Sequence, residues 1–190
     1  RQSSAQQQSV PLVVKVGGSL QRVIPELVPE LLSSERPLLI VPGGGVFADI
    51  VRQSGVADDA AHWMAIAAMD QFGWFISSHG LVTTDILAIP EKTTVFLPYT
   101  CMRGCDPLPH TWDISSDTIS AWVAGALGLD LLGLKSVDGN FLEGALQDRL
   151  SQPMICDEVD PFFLPYVLTN KISAAIINGA HPGRVEKYLK

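Results

Sequence analysis

Two short apolar runs that each end in a glycine cluster constrain the fold of this 190-residue chain more than any other feature. They read VVKVGGS at 13–19 and LIVPGGG at 39–45. Glycine lets the main chain approach a ligand closely and adopt positive φ, so neighbouring amides can converge on phosphate oxygens. A helix that begins directly after such a turn adds unpaired N–H groups and the positive end of its dipole. The pattern therefore predicts two phosphate-binding loops at the ends of buried strands.

Lys15 lies on the strand that leads into the first cluster. A flexible ammonium at that place can neutralise charge on a phosphoryl group during its transfer. Glycines after strands are also ordinary turn residues, so a purely structural role is the alternative for either cluster alone. Two clusters together with a strand lysine favour a phosphotransferase.

The remaining apolar runs predict the fold class. Runs without clean polar alternation occur at 12–16, 38–41, 94–97, 131–134 and 174–177. Such runs predict strands buried on both faces of a parallel sheet. Helical periodicity separates them, for example at 24–32 and 119–127. The alternation predicts a three-layer α/β/α sandwich with a mainly parallel central sheet.

We expect a flexible leader at 1–10 and a single domain at 11–190, since no composition shift marks a second domain. The segment 58–75 is apolar around nearly its whole circumference, which predicts a helix that packs on more than one side or contributes to a dimer contact. The segment 98–110, with two prolines, is predicted to be irregular and is a candidate substrate lid.

Composition excludes several classes of protein. A net charge of -7 argues against a nucleic-acid binder, whose affinity would rest on a basic face. No apolar run is long enough to span a bilayer, so we predict a cytoplasmic protein without a membrane partner. Three cysteines are too few for a disulfide framework. Cys101, Cys105 and His110 could supply three metal ligands, but an adaptable loop with reduced thiols is favoured, and no metal site is predicted.

Asp113 and Asp117 lie four residues apart, immediately before the helical pattern at 119–127. Helix capping and dipole complementation are the structural alternative for both carboxylates. Phosphoryl transfer needs positioned cations and groups that hold them. We therefore expect Asp117 to orient Lys15 and any neighbouring cationic group, and Asp113 to take an acceptor amine or a magnesium-bound water.

At this point the chain resembles the amino acid kinase superfamily. The resemblance rests on motifs that occur in the family's order, at 15–19, 43–45, 113–132, 135–139 and 176–179. It implies Mg²⁺ and ATP as cofactors, with Lys15 and Asp117 as the catalytic pair. It also implies a set of nucleotide-binding residues: Gly17, Gly18, Ser19, Gly44, Gly45, Lys135, Ser136, Asp138 and Gly139.

A narrower resemblance, at 45–52, 61–71 and 108–113, is to the short branch that phosphorylates aminomethylfuran-methyl phosphate in methanofuran biosynthesis. It implies a small phosphorylated acceptor that receives the γ-phosphate of ATP. Arg52 and His62 are candidates for its phosphate, and Asp49, Asp70 or Asp113 for its ammonium.

One departure from the superfamily keeps other functions open. Larger members carry a second catalytic lysine shortly before the last strand, whereas the segment 157–165 has none. Lys135 could reach the nucleotide phosphates instead, or be an ordinary surface lysine. The alternatives are a kinase of uridylate or another small acceptor, and a non-catalytic nucleotide- or oxyanion-binding module. We expect a homo-oligomer, in which a neighbouring subunit could complete the adenine pocket.

Overall fold

The computed structural model describes residues 10–136, 141–142 and 159–190. Its strands are β1 Leu12–Val16, β2 Leu38–Pro42, β3 Val82–Thr84, β4 Thr94–Phe96, β5 Leu131–Lys135, β6 Phe141–Leu142 and β7 Ala174–Asn178. Its α-helices are α1 Ile24–Leu32, α2 Gly45–Gln53, α3 Asp58–Ser77, α4 Pro98–Cys105, α5 Ser116–Leu127, α6 Phe163–Thr169 and α7 Arg184–Leu189. A 3-10 helix spans Gly18–Val23.

The described strands form one sheet in the order β3-β4-β2-β1-β5-β7-β6. All neighbouring pairs are parallel except β6 with β7. Because β1 lies between β2 and β5, its carboxyl end is the point where the strand order reverses. Open α/β sheets bind ligands at such a point, so the topology predicts a ligand site at the loops after β1 and β5, between which the order reverses.

Two buried apolar clusters cover the two faces of the sheet. The first includes Val14 and Val16 of β1 together with α1 and α7 side chains. The second includes Val13 of β1 together with α5 and α6 side chains. This division follows from the strand period of two, and it confirms the predicted three-layer α/β/α sandwich with a mainly parallel sheet.

The five predicted strands are all present, but two elements differ from the sequence prediction. The expected irregular lid at 98–110 is wrong over its first part, because α4 occupies Pro98–Cys105. Pro98 is tolerated there because a first-turn residue needs no intrahelical N–H bond. Strands β3 and β6 were not predicted, since each has only two or three residues.

The apolar helix α3 packs against α2, α4 and the sheet. Met69 and Phe72 are buried, as expected for a helix with several neighbours, whereas Met64 and Trp74 are exposed. Within the described residues, no helix is both long and apolar enough to cross a membrane. The predicted leader at 1–10 lies outside them, apart from Val10.

Candidate active site

The alternation of side chains along β1 and β5 brings two lysines to one face of the sheet. Lys15 shares a strand face with Val13, which packs in the cluster that contains α5. Lys15 pairs with Gly133 in the β1–β5 register, so Lys135 lies one pleat further on the same face. Both ammonium groups therefore meet the amino-terminal turn of α5, where Asp117 lies.

Asp117 pairs with both lysines. Its Oδ1 lies 2.7 Å from Lys15 Nζ, and its Oδ2 lies 2.8 Å from Lys135 Nζ. Lys15 and Asp117 are buried, and the Lys135 side chain is only 14% exposed. The expected contact between Asp117 and Lys15 is therefore present, and Lys135 is not an ordinary surface lysine. The sequence predicted that Asp117 orients Lys15 and any neighbouring cation, but it did not identify Lys135 as that cation.

Burial and ion pairing oppose each other in this cluster. Burial lowers the pKa of Lys15, while the Asp117 carboxylate favours its charged form. Burial alone would raise the pKa of Asp117, but the Lys15 and Lys135 ammonium groups outweigh that effect and hold it below its usual value. Its position in the first turn of α5 also places a negative charge at the positive end of a helix dipole. Asp117 therefore stays ionised and keeps the two cations close together.

The two glycine loops contact each other at the carboxyl ends of β1 and β2. A Cβ on Gly18 would collide with the Gly45 backbone, and a Cβ on Gly44 would collide with Ala48. No side chain caps the amino-terminal turn of α2, which begins at Gly45. The first-turn amides of that helix therefore lie at the surface that both loops form, where an anion can accept their hydrogen bonds.

The Gly17 amide does not belong to that set of donors. It donates to Leu134 O at 2.9 Å, and a Cβ at Gly17 would lie 2.9 Å from the same oxygen. This corrects the expectation that the Gly17 amide binds phosphate: the residue allows close packing of the turn on β5. Ser19 is exposed in the 3-10 helix that follows.

Asp160 is a site residue that the sequence reasoning missed. Its carboxylate accepts hydrogen bonds from the backbone N–H and hydroxyl of Ser115 and of Thr118, at 2.6–3.0 Å, and from Phe162 N–H at 3.1 Å. These bonds fix the start of α5 and hence the position of Asp117. Only the general preference of aspartate for helix starts could have suggested Asp160, because Ser115 and Thr118 lie more than 40 residues away in the sequence.

A cavity of about 650 Å³ opens beside the Gly44 loop and the start of α5. We call it the acceptor pocket. Gly44, Ser115 and Ser116 line one part of it, and an apolar wall includes Ile66, Met69 and Ile119. Of the residues predicted for the acceptor, Arg52 and His62 line it. The volume suits a small molecule with an apolar body and polar ends.

The three predicted ammonium ligands do not line the acceptor pocket. Asp49 is exposed and pairs with Arg52 at 2.6 Å. Asp113 is exposed between two lining residues. Asp70 accepts a hydrogen bond from Tyr99 N–H in the first turn of α4, and burial raises its pKa to about 6. The structure therefore explains Asp70 as a residue that holds α4.

Arg52 and the histidines form the polar part of the acceptor pocket. The Arg52 guanidinium lies 5.6 Å from the centre of the Trp112 ring, which also lines the pocket. The His62 ring stacks on His110 with centroids 3.9 Å apart. Hydrogen bonds that the His110 ring donates to the Asp59 and Asp106 carboxylates raise the pKa of His110, whereas burial and then the nearby His110 lower the pKa of His62.

The predicted nucleotide loop after β5 is only partly described. Lys135 ends the strand, and the exposed Ser136 uses its carbonyl oxygen to accept a bond from Asn178 Nδ2 at 3.4 Å. Asp138 and Gly139 lie outside the described residues. The same holds for residues 157 and 158 of the segment in which larger superfamily members carry their second lysine.

The paired glycine loops fit a polyphosphate, because the loops can lie in contact only without a side chain at Gly18, and no side chain caps the first turn of α2, whose amides can bind phosphate oxygens. A magnesium ligand is less evident among residues 10–136 and 159–190. Both oxygens of Asp117 are paired with lysines, and both oxygens of Asp160 accept hydrogen bonds. Magnesium that arrives with ATP can instead keep phosphate oxygens and water as its ligands.

Comparison with known proteins agrees with this geometry. No family model matches the chain. A curated relative, the [5-(aminomethyl)furan-3-yl]methyl phosphate kinase of Methanocaldococcus jannaschii, is 29% identical over 94% of this chain and 92% of its own length.

Solved structures share the fold. A uridylate kinase from Archaeoglobus fulgidus superposes with a TM-score of 0.64 at 17% identity, over 94% of this chain and 95% of its own. An isopentenyl phosphate kinase superposes with a TM-score of 0.53 at 15% identity, over 94% and 96% of the two chains. The chain therefore shares the fold of these two kinases, and over nearly its whole length it is similar in sequence to a phosphate kinase.

Proposed function

We propose that this protein transfers the γ-phosphate of Mg-ATP onto a small phosphomonoester, [5-(aminomethyl)furan-3-yl]methyl phosphate, and so forms the diphosphate. The observation that carries the proposal is the Lys15–Asp117–Lys135 cluster beside two joined glycine loops and an open pocket. The acceptor is taken from the curated relative. The two fold neighbours are likewise named for phosphomonoesters, uridylate and isopentenyl phosphate.

In this proposal an oxygen of the acceptor phosphate attacks the γ-phosphorus, and the bond from that phosphorus to the β–γ bridging oxygen breaks, releasing ADP. Negative charge spreads over the transferring group, so the Lys15 and Lys135 ammonium groups stabilise it. Asp117 does not touch the phosphoryl group; it keeps both cations in position. Gly18, Gly44 and Gly45 provide backbone contacts to phosphate oxygens, and Mg²⁺ bound to ATP neutralises further charge.

Lys135 thereby takes the role of the second lysine that larger superfamily members carry near the last strand. The support is its distance of 2.8 Å from the same carboxylate that holds Lys15. Two cations on one carboxylate leave a net positive charge where the transferring phosphoryl must lie. Two cations would also bind an anion that does not react, so the preference for a kinase over a non-catalytic binding module rests on the curated relative.

The acceptor pocket suits a furan ring with two polar substituents. Its apolar wall, which includes Ile66, Met69 and Ile119, can cover a small ring. The acceptor phosphate would face Gly44 and Ser115, at the part of the pocket next to the glycine loops. Asp58, which also lines the pocket, would face the aminomethyl ammonium, and Arg52 keeps the phosphate-binding role expected from the sequence. His62 lines the wall, but its Nε2 is buried from solvent.

A uridylate kinase remains the second candidate because of the fold neighbour from Archaeoglobus fulgidus. It requires the pocket to accept a ribose and a pyrimidine as well as the phosphate. A cytoplasmic location and a homo-oligomeric state remain part of the proposal.

The test is ADP release from Mg-ATP with the aminomethylfuran phosphate, uridylate, isopentenyl phosphate or no acceptor, each with the wild-type protein and Lys15→Ala. We expect rapid release with the furan phosphate, loss of that release in Lys15→Ala, and a diphosphate product by mass spectrometry. Release of ADP with uridylate alone would show that the protein is a uridylate kinase, the second candidate. ATP binding without release for any acceptor would overturn the proposed reaction.

A further inference from the structure

Outside the Lys15–Asp117–Lys135 cluster, three side chains of metal-binding type converge beside the acceptor pocket. His62 lies on α3, Asp106 is the left-handed residue that ends α4, and His110 lies four residues further on. One ligand atom from each lies within 4.8 Å of the other two. We propose that His62, Asp106 and His110 bind a divalent first-row transition metal ion, separate from the magnesium that accompanies ATP.

The donor set is the first argument. Two imidazoles and one carboxylate are the ligands that zinc, cobalt and iron(II) take in proteins, whereas magnesium prefers oxygen ligands alone. His110 Nε2 lies 2.9 Å from Asp106 Oδ1, so the two potential ligands already face each other. In the metal-free protein a proton joins these atoms, and a metal ion would replace that proton.

The second argument is the carboxylate behind the ligands. Asp59 Oδ1 lies 2.6 Å from His110 Nδ1, on the opposite side of the ring from Asp106. Histidine ligands in metal sites usually donate their other ring N–H to a carboxylate or carbonyl, which fixes the tautomer and the ring orientation. Asp59 is placed to do this for His110, so the cluster has an orienting group as well as three ligands.

The third argument is a buried nitrogen without a partner. His62 Nε2 is inaccessible to solvent and makes no hydrogen bond within the described residues. A buried polar atom without a partner costs free energy, and such atoms are uncommon. The kinase reaction as proposed gives this nitrogen no role. A metal ion bound with His110 and Asp106 would satisfy it.

The geometry is close to a metal site but requires small movements. Ligand atoms around a tetrahedral ion lie about 3.4 Å apart when the bonds are about 2.1 Å. The widest separation here is up to 4.8 Å, and the stacked imidazole rings must separate for both to point at one ion. The exposed Asp106 side chain can rotate, and His62 and His110 can turn about their side-chain bonds without moving α3 or α4.

An ion at this place would connect the first half of α3, the end of α4 and the segment that leads into α5. His62 and His110 both line the acceptor pocket, so the ion would brace its wall. It would stabilise the folded protein by linkage, because the unfolded chain has no such arrangement of ligands.

The test uses untagged, chelator-treated protein, without ATP and in excess Mg²⁺, titrated with Co²⁺ and followed by the visible absorption of the bound ion. We expect saturation at one equivalent, displacement by Zn²⁺, and a Zn²⁺-dependent rise in melting temperature. His62→Ala and the milder Asp106→Asn should each weaken binding by about 100-fold or more. His181→Ala, which changes an exposed histidine outside the cluster, should bind Co²⁺ like the wild type.

The same measurements can overturn the proposal. If the wild type shows no saturable Co²⁺ absorption, or if Mg²⁺ abolishes it, the cluster is a set of ion pairs and the site does not exist. Binding that persists in both His62→Ala and Asp106→Asn would place the ion elsewhere, for example on Cys101 and Cys105. A metal-free circular dichroism spectrum of each variant separates loss of the site from loss of the fold. None of these readouts depends on the acceptor, so they are independent of the proposed reaction.

Discussion

The Lys15–Asp117–Lys135 cluster and the acceptor pocket lie side by side, yet they are built in different ways. Two of the three cluster residues lie on neighbouring strands in the middle of the sheet, and all three are largely buried. The acceptor pocket is lined by helices α2, α3 and α5 and by the segment before α5, and it is open to solvent. The sheet therefore fixes the cluster to which we assign phosphoryl transfer, whereas surface elements shape the pocket to which we assign the acceptor.

This difference suggests how one fold can serve several acceptors. Strand register leaves the two lysines little freedom, so a substitution there alters a preformed electrostatic site. The walls of the pocket consist of side chains on helices that can change without altering the sheet. The two fold neighbours, which are named for different phosphomonoesters, share this fold at 17% and 15% identity.

The largest effect should come from Lys135→Ala, which tests whether the Lys15–Asp117–Lys135 cluster needs both lysines for catalysis. We expect kcat to fall by about 10²–10³-fold, since removal of one positioned charge typically costs this much, while the KM for the acceptor changes little. Steady-state kinetics measures both values. Lys92→Ala removes an exposed lysine that belongs to neither the cluster nor the pocket, and it should leave kcat and KM unchanged. A full rate in Lys135→Ala would limit the catalytic cluster to Lys15 and Asp117.

Asp160→Ala should give the next largest effect, because it removes the acceptor of five hydrogen bonds at the start of α5. We expect the free energy of unfolding to fall by about 2–3 kcal/mol, since Ser115 and Thr118 are left with unsatisfied donors. Urea unfolding measures the change. Asp130→Ala, at an exposed carboxylate, serves as the control. Equal stability in the two variants would mean that α5 does not depend on Asp160.

Ala65→Leu tests the pocket without touching the cluster. Ala65 lines the pocket on α3, so a larger side chain occupies space that the acceptor needs. We expect the KM for the acceptor to rise by about 10-fold or more and the dissociation constant for ATP to stay the same. Ala60→Leu makes the same change at an exposed position of α3 and should have little effect. A raised KM in both variants would indicate a general disturbance of the helix.

The sequence was sufficient to predict the sheet and the Lys15–Asp117 contact, and insufficient for most of the acceptor pocket. Glycine clusters and buried strands leave a local pattern, and parallel topology brings their ends together. Asp49, Asp70 and Asp113 were expected at the acceptor because their residue type suits an ammonium. Whether a side chain on a helix reaches a pocket depends on helix rotation and packing, which a charged residue alone does not indicate. Asp160 was missed because its partners at the start of α5, Ser115 and Thr118, are distant in the sequence.

The smallest effect should come from Asp70→Asn. This variant tests whether Asp70, which the sequence predicted as a ligand of the acceptor ammonium, has a structural role instead. Burial raises its pKa to about 6, compared with about 3.9 in an unfolded chain. The folded protein therefore binds this proton more tightly, and the resulting stability is present below about pH 4 and lost as the pH rises through about 6. At neutral pH the ionised carboxylate is partly desolvated, which costs stability. Asp70→Asn removes that charge and keeps an oxygen that can accept from Tyr99 N–H.

We expect Asp70→Asn to be more stable than the wild type by about 1 kcal/mol near pH 7, a value reduced for the partial exposure of the side chain, with no difference near pH 4. Urea unfolding across this pH range measures the effect, and Asp113→Asn, at an exposed carboxylate, should show no such trend. Acceptor kinetics should be unchanged, because Asp70 does not line the pocket. A raised KM for the aminomethyl acceptor, with no change in how the free energy of unfolding depends on pH, would show that Asp70 contacts the acceptor. The acceptor site would then extend beyond the pocket wall.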